Sequence, residues 1–216
     1  MKIICMIPAH LGSRRVKRKA LRKVGNFSLL AHAIRTALQV KAYDGVWVNT
    51  PDDLLADEAY LHGAQVHKRP PELAEPNTND AFKREFCEKH PETDWIVAQN
   101  PTSPLLSVQT AQGFCERLVK GDIDTLHSVK REQAYYFDSQ WRPVNFDWNG
   151  APDTQDLPPV WRVVWALTGW RRETYLAANC GVWAGRLGFY ELSGADAVDI
   201  DTEEDLEYAQ WLAERQ

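Results

Sequence analysis

Ile3-Ile4-Cys5-Met6-Ile7-Pro8-Ala9-His10-Leu11-Gly12-Ser13-Arg14-Arg15-Val16-Lys17-Arg18-Lys19-Ala20-Leu21-Arg22-Lys23 begins as an unbroken apolar run and ends as a basic one. Apolar residues without alternation mark a strand buried on both faces, which needs helices above and below it. The strand ends at Pro8, and Gly12 and Ser13 let the backbone bend and present N–H groups. Seven Lys and Arg then fall within ten positions, with no acid between them. The whole chain carries −5, so everything outside this loop carries −12. A +7 loop on an acidic protein suits a compact polyanion such as a nucleoside triphosphate. The acidic remainder argues against general nucleic-acid or membrane affinity.

Outward from that stretch, strand and helix alternate. Leu29, Leu30, Ala33, Ile34, Ala37 and Leu38 form one helical stripe. Val46–Val48 reads as a strand, and Leu54–His62 as a helix closed by Gly63. Val66 starts a brief strand that Arg69-Pro70-Pro71 breaks. Asn79–His90 is a polar helix, Trp95–Ala98 a central strand, Val108–Val119 a helix closed by Gly121, and Thr125–Val129 a strand. The spacing further predicts a strand at Val163–Leu167, a short helix near Arg172–Ala178, a strand at Leu187–Glu191 and a last helix at Thr202–Ala213. This order predicts an α/β fold with a mostly parallel sheet, helices on both faces, and ligands at the carboxyl ends of the strands. One domain over residues 1–216 is expected.

From Tyr135 to Val160 the pattern changes. Six of the nine tryptophans lie between Trp141 and Trp183, and aromatic residues alternate with polar ones. Strand-like ribbons are expected, with 134–162 projecting as a dimerisation arm whose aromatics a second copy covers. A local hairpin is the alternative. Cys5, Cys87, Cys115 and Cys180 are dispersed and form no CxxC pair, which suits buried thiols in a reducing cytoplasm. No apolar run approaches the roughly 20 residues of a membrane span, and no signal peptide is expected.

Four segments could carry chemistry. The basic loop suits a polyphosphate, though its spacing is not GxxxxGK[ST]; a solvated face or a nucleic-acid arm is the plainer reading, and Arg22 and Lys23 are expected to face solvent. In Asp199-Ile200-Asp201, residues two apart on a strand point the same way, so both carboxylates could meet one hard cation such as Mg²⁺. Alternatively Asp201 or Thr202 caps the final helix, with Glu204 or Asp205 completing a box. Asn100-Pro101-Thr102-Ser103-Pro104 is a rigid loop presenting Asn100, Thr102 and Ser103, or a structural turn. Arg69-Pro70-Pro71-Glu72-Leu73-Ala74 is a second rigid loop, with one guanidinium.

Together these segments resemble the CMP-sugar synthetases of the acylneuraminate cytidylyltransferase family. The family's opening IPARxxSKxxxxKN appears as Ile7-Pro8-Ala9-His10-Leu11-Gly12-Ser13-Arg14 and then Lys19-Ala20. Its RPxxLA appears at Arg69–Ala74, its QPTSPLR as Asn100-Pro101-Thr102-Ser103-Pro104-Leu105-Leu106, and its DIDTxxDL intact at Asp199–Leu206. The resemblance implies a three-layer, Rossmann-like nucleotidyltransferase fold, a cytoplasmic homodimer, and transfer of CMP from CTP to an acidic sugar with Mg²⁺ and release of pyrophosphate. It implies nucleotide contacts from Ala9, His10, Gly12, Ser13, Arg14, Lys19, Arg69 and Asp80, and acceptor contacts from Asn100, Thr102, Ser103 and Trp165. Lys19, Asp199 and Asp201 would be catalytic, the two aspartates holding the metal. His10 stands where the motif has Arg, Ala20 where it has Asn, and Val164–Thr168 where the family has NGA(I/V)Y, so the acceptor side is the more altered. The same chemistry on another acid, or nucleotide binding without turnover, are the competing expectations.

Overall fold

The computed structural model describes residues 1–74, 79–150, 152–179 and 181–215. In chain order it runs β1 (Ile3–Pro8), β2 (Lys23–Val24), β3 (Phe27–Ser28), α1 (Leu29–Ala37), β4 (Gly45–Thr50), α2 (Asp53–Leu61), β5 (Gln65–Lys68), α3 (Asn79–Lys89), β6 (Trp95–Gln99), α4 (Val108–Leu118), β7 (Thr125–Glu132), β8 (Val160–Arg171), α5 (Arg172–Ala177), β9 (Leu187–Leu192) and α6 (Glu203–Ala213). Seven of the described strands form one sheet in the order β5-β4-β1-β6-β8-β7-β9, and β2 with β3 makes a separate small hairpin.

The pleat explains the layers. Cys5 and Ile7 pack under α1 and α2 with Leu30, Ile34 and Leu55, while Ile4 and Met6 face the other way onto Phe82 and Phe86 of α3. Both faces of β1 are therefore covered, as its uninterrupted apolar run requires. Ser28 caps α1 by accepting the Ala31 N–H at 3.0 Å, and Gly63, at φ +85°, ends α2 in the left-handed region that glycine adopts without strain.

β8 alone runs against its neighbours β6 and β7; the remaining pairs are parallel. The reason lies in its connection. A parallel crossover needs a helix, and the described residues of 133–159 supply none. Among them there is no ribbon either. Their described part holds one isolated bridge, Phe137 with Pro143, and one 3₁₀ turn at Thr154–Asp156. The expected strands give way because four prolines remove ladder donors, and because the Asn145 side chain takes over the ladder's bonds. It accepts from the Tyr136 N–H at 3.0 Å and donates to the carbonyls of Ala134 and Pro158 at 2.8 and 2.9 Å. Tyr135, Phe137, Phe146 and Trp148 pack edge to face on one another, leaving Trp141 79% and Trp148 69% exposed.

Cys5, Cys87 and Cys115 are free and buried; Cys180 lies outside the described residues. No described helix is long and apolar enough to cross a membrane.

Candidate active site

A cavity of about 360 Å³ opens at the carboxyl ends of β1 and β6. β1 is flanked by β4 on one side and β6 on the other, so the connections leave in opposite directions there and a crevice forms.

Its rim is built by the two ends of the sequence. Val16 of the basic loop, Val24 of its hairpin and Leu29 at the start of α1 pack with Ile200, Leu206 and Ala209. That contact brings the basic run onto the acidic segment 199–205. Lys19 Nζ donates to the Ile200 carbonyl at 2.5 Å and to Asp201 Oδ1 at 3.2 Å. Arg15 reaches the same carboxylate oxygen at 2.7 Å, and Arg22 makes a bidentate pair with Glu203 at 2.8 Å in both arms. Arg22 is thus paired rather than solvated, because the α6 N-terminus and its acidic first turn lie opposite it. Lys23 is exposed as expected. Three of the seven loop charges clamp the fold, and Arg14, Lys17 and Arg18 stay exposed.

Asp199-Ile200-Asp201 is not a strand. Its Ile200 N–H donates to the Thr102 carbonyl at 2.8 Å and its Asp201 N–H to Asp205 Oδ2 at 2.9 Å, beside the Lys19 bond to the Ile200 carbonyl, with Ile200 fully buried. The helix-cap reading holds beside it: Thr202 and Asp205 form a reciprocal capping box on α6. Asp199 is a different case. Its Oδ1 is buried without any hydrogen-bond partner. Burial raises its pKa, the Thr102 hydroxyl opposes that shift, and the Asp201 carboxylate adds to it.

The loop after β6 forms the opposite wall. Between His127 and Val129 the β7–β8 register slips. The Ser128 hydroxyl fills the gap, donating to the Val164 carbonyl at 2.5 Å and accepting the Leu167 N–H at 3.0 Å. This bulge carries Trp165 over the cavity, where its carbonyl accepts from the Asn100 side-chain amide; the Asn100 N–H is held by the Ala166 carbonyl at 3.0 Å. Asn100, Thr102 and Trp165 line the cavity. Ser103 does not; it is buried, its N–H bonded to the Asn100 carbonyl at 3.3 Å and its hydroxyl unpartnered.

On the floor, Arg69 is 3% exposed. Nη2 donates to the Ala9 carbonyl at 3.3 Å, the guanidinium lies 4.5 Å over the Phe82 ring, and Nε and Nη1 have no partner. Burial lowers its pKa to about 10 against the field of Asp52 and Glu85. Asp52 also accepts the Leu11 N–H at 2.9 Å, fixing the bend of the loop. His10 lines the cavity with Nδ1 accepting the Gly12 N–H at 3.1 Å. Desolvation and then Arg69 lower its pKa, so it acts as a neutral acceptor.

Ala9, His10, Ser13, Lys19, Arg69, Asn100, Thr102 and Trp165 are therefore brought to one cavity. Gly12 and Arg14 sit exposed outside its lining. Asp80 is turned away, its carboxylate taken by the Tyr175 hydroxyl. Lys83, Thr168 and Phe82 line the cavity without having been singled out in the sequence. Lys83 could have been found by helical spacing, since it follows Asn79 by four positions on α3 and Asn79 also lines the cavity.

Comparison with known proteins agrees with this architecture. The protein family described as Cytidylyltransferase matches residues 4–154. N-acylneuraminate cytidylyltransferase A of Danio rerio is 26% identical over 94% of this chain and 49% of its own length. N-acylneuraminate cytidylyltransferase of Streptococcus agalactiae is 25% identical over 95% of the chain and 52% of its own. The chain thus spans about half the length of the curated relatives it matches. Among solved structures, a CMP:2-keto-3-deoxy-manno-octonic acid synthetase complexed with CTP superposes with a TM-score of 0.75 at 16% identity, covering 100% of this chain and 99% of the other. The 4-diphosphocytidyl-2C-methyl-D-erythritol synthase of Anaerococcus prevotii gives 0.72 at 14%, over 99% and 96%. At such identities these two speak for the fold.

Proposed function

The chain belongs to the cytidylyltransferase family, and we propose that it transfers the cytidylyl group of CTP to an acidic sugar, releasing pyrophosphate. The observation that carries this reading is the meeting of Ser13, Lys19 and Arg69 at one cavity, with Lys19 tied by hydrogen bonds to Ile200 and Asp201, which themselves stand outside the cavity lining. In this reading the acceptor oxygen attacks the α-phosphorus in line and pyrophosphate leaves toward the basic loop, so the protein contributes position and charge rather than a covalent intermediate. Ser13 and the loop backbone hold the phosphates, Arg69 seats the nucleotide against Phe82, and Lys19 stabilises the departing charge. The Asn100–Trp165 wall orients the acceptor.

The residues present fit a divalent cation. Mg²⁺ uses one or two carboxylates and completes its shell with phosphate oxygens and water. Asp199 Oδ1, buried and unpartnered, is the acceptor such an ion would satisfy, with Asp201 beside it. When bound, the cation would neutralise phosphate charge. The exposed Trp141 and Trp148 support a homodimer through the 133–159 segment; Trp141→Ser with Trp148→Ser should shift a dimer toward monomer in sedimentation.

The test is pyrophosphate release from purified protein with CTP, Mg²⁺ and a panel of sugar acids. Turnover with at least one acid is expected. A protein that neither binds CTP calorimetrically nor releases pyrophosphate with any of them would refute the reading.

A further inference from the structure

Behind the nucleotide residues, the cavity floor carries polar groups that the chain itself does not satisfy. Lys83 projects from α3 into the cavity. No described carboxylate lies within ion-pair distance of its ammonium. The candidate three residues away, Asp80, is committed to the Tyr175 hydroxyl, and Cys87, one turn on, keeps its proton because burial pushes its pKa to about 11. Thr168, on β8, is 3% exposed and lines the same cavity with its hydroxyl unpartnered. Directly across the β7–β8 pair stands His127, fully buried, with Nε2 bonded to the Val182 carbonyl at 2.9 Å and Nδ1 unpartnered. Trp183 stacks on His127 at 4.2 Å, and Trp165 meets both rings edge on.

A half-buried ammonium without an ion-pair partner is unfavourable to a fold, and a buried hydroxyl without a partner adds to that cost. Both groups line the same cavity as Trp165. An anion arriving there would meet a low-dielectric site with one cation and one hydroxyl donor already positioned.

We propose that Lys83 and Thr168 form the anchoring site for the carboxylate of the acceptor, with Trp165 bounding the apolar side of the same molecule. This rests on the cytidylyl-transfer reading for the acceptor's identity, but it assigns to this chain's own α3 and β8 the task of holding the acceptor's acid group. Burial lowers the Lys83 pKa, the Asp80 carboxylate opposing it. A carboxylate bound beside the ammonium would reverse that shift.

Two measurements test the assignment. In the first, Lys83 acylation by an amine-selective reagent is followed by peptide mass spectrometry on the intact protein. The probes are N-acetylneuraminate, 2-keto-3-deoxy-manno-octonate and pyruvate, each with and without CTP. At least one carboxylate should slow labelling of Lys83 fivefold or more, with CTP alone leaving it unchanged. Protection by CTP alone would make the bound anion a phosphate and overturn the proposal, as would no protection by any of the three acids. In the second, Lys83→Met should raise the acceptor KM tenfold or more with the CTP KM unchanged, and Lys83→Arg should recover part of the loss. An equal rise in both constants would overturn it. Because labelling needs no turnover, a protein that neither binds CTP nor releases pyrophosphate with any acid, yet is protected by one of them, would refute the transfer reading and leave the carboxylate site standing.

Discussion

The rim and the floor of the cavity hold similar charges under opposite conditions. On the rim, Arg15, Lys19 and Arg22 meet Asp201 and Glu203, and apart from the Lys19 side chain these partners are solvent-exposed. In contrast, Arg69 and Thr168 in the cavity lining and Asp199 outside it leave buried donors or acceptors unmet, and burial lowers the pKa of Lys83. Exposed pairs add little to stability, whereas buried unmet groups cost stability and are repaired only by what binds. The rim closes the fold on itself, and the floor waits for a ligand.

Changing the floor should therefore affect activity far more than stability. Asp199→Asn is expected to reduce pyrophosphate release by roughly 100-fold or more, while the protein melts at the same or a higher temperature at pH 7. The sign follows from linkage. A carboxyl whose folded pKa is raised ionises first in the unfolded chain, so the folded state loses stability as pH climbs through that window. Above it the penalty is fully present. Wild type and D199N should converge in stability at low pH and separate as pH rises. A lower melting temperature for D199N at pH 7 would break the contrast.

Arg69→Met should weaken CTP binding by about tenfold, close to 1.4 kcal/mol, in calorimetry. Thermal stability should hold, because the variant no longer buries two unmet guanidinium nitrogens.

The Lys19–Asp201 pair lies between the two regimes, with side chains 12% and 45% exposed. A double-mutant cycle with Lys19→Met and Asp201→Asn should give a coupling of about 0.5–1 kcal/mol in denaturant unfolding, and both single variants should lose turnover. A coupling of several kcal/mol would move Lys19 into the floor's class.

The smallest effect belongs to Arg22→Ala. It should cost about 0.5 kcal/mol, or roughly 1–2 °C in melting temperature, vanish at high salt, and leave kcat and KM unchanged.

The elements of the rim were legible early. Ile3–Pro8 read as a strand covered on both faces, and a cap by Asp201 or Thr202 with Glu204 or Asp205 was one of the two readings of 199–205, of which Thr202 and Asp205 form the box. The basic run was legible as charge but not as a clamp, since its partners lie about 180 residues away in sequence. The ribbons expected at 135–160 failed for a local reason, prolines and a competing Asn145 amide. Lys83 passed unnoticed because an isolated Lys on a polar helix is ordinary until its surroundings are known.

Outside 135–160 and 199–201, the sequence alone located the main strands and helices and the loops at the carboxyl ends of β1 and β6, because periodicity and turn chemistry are local properties. Only the tertiary structure decided that β8 runs antiparallel, that a bulge at Ser128 swings Trp165 over the cavity, and that rim charges are met while floor charges are not. Those outcomes depend on desolvation and on which distant groups come within about 3 Å of one another, and neither is written in the neighbourhood of any one residue.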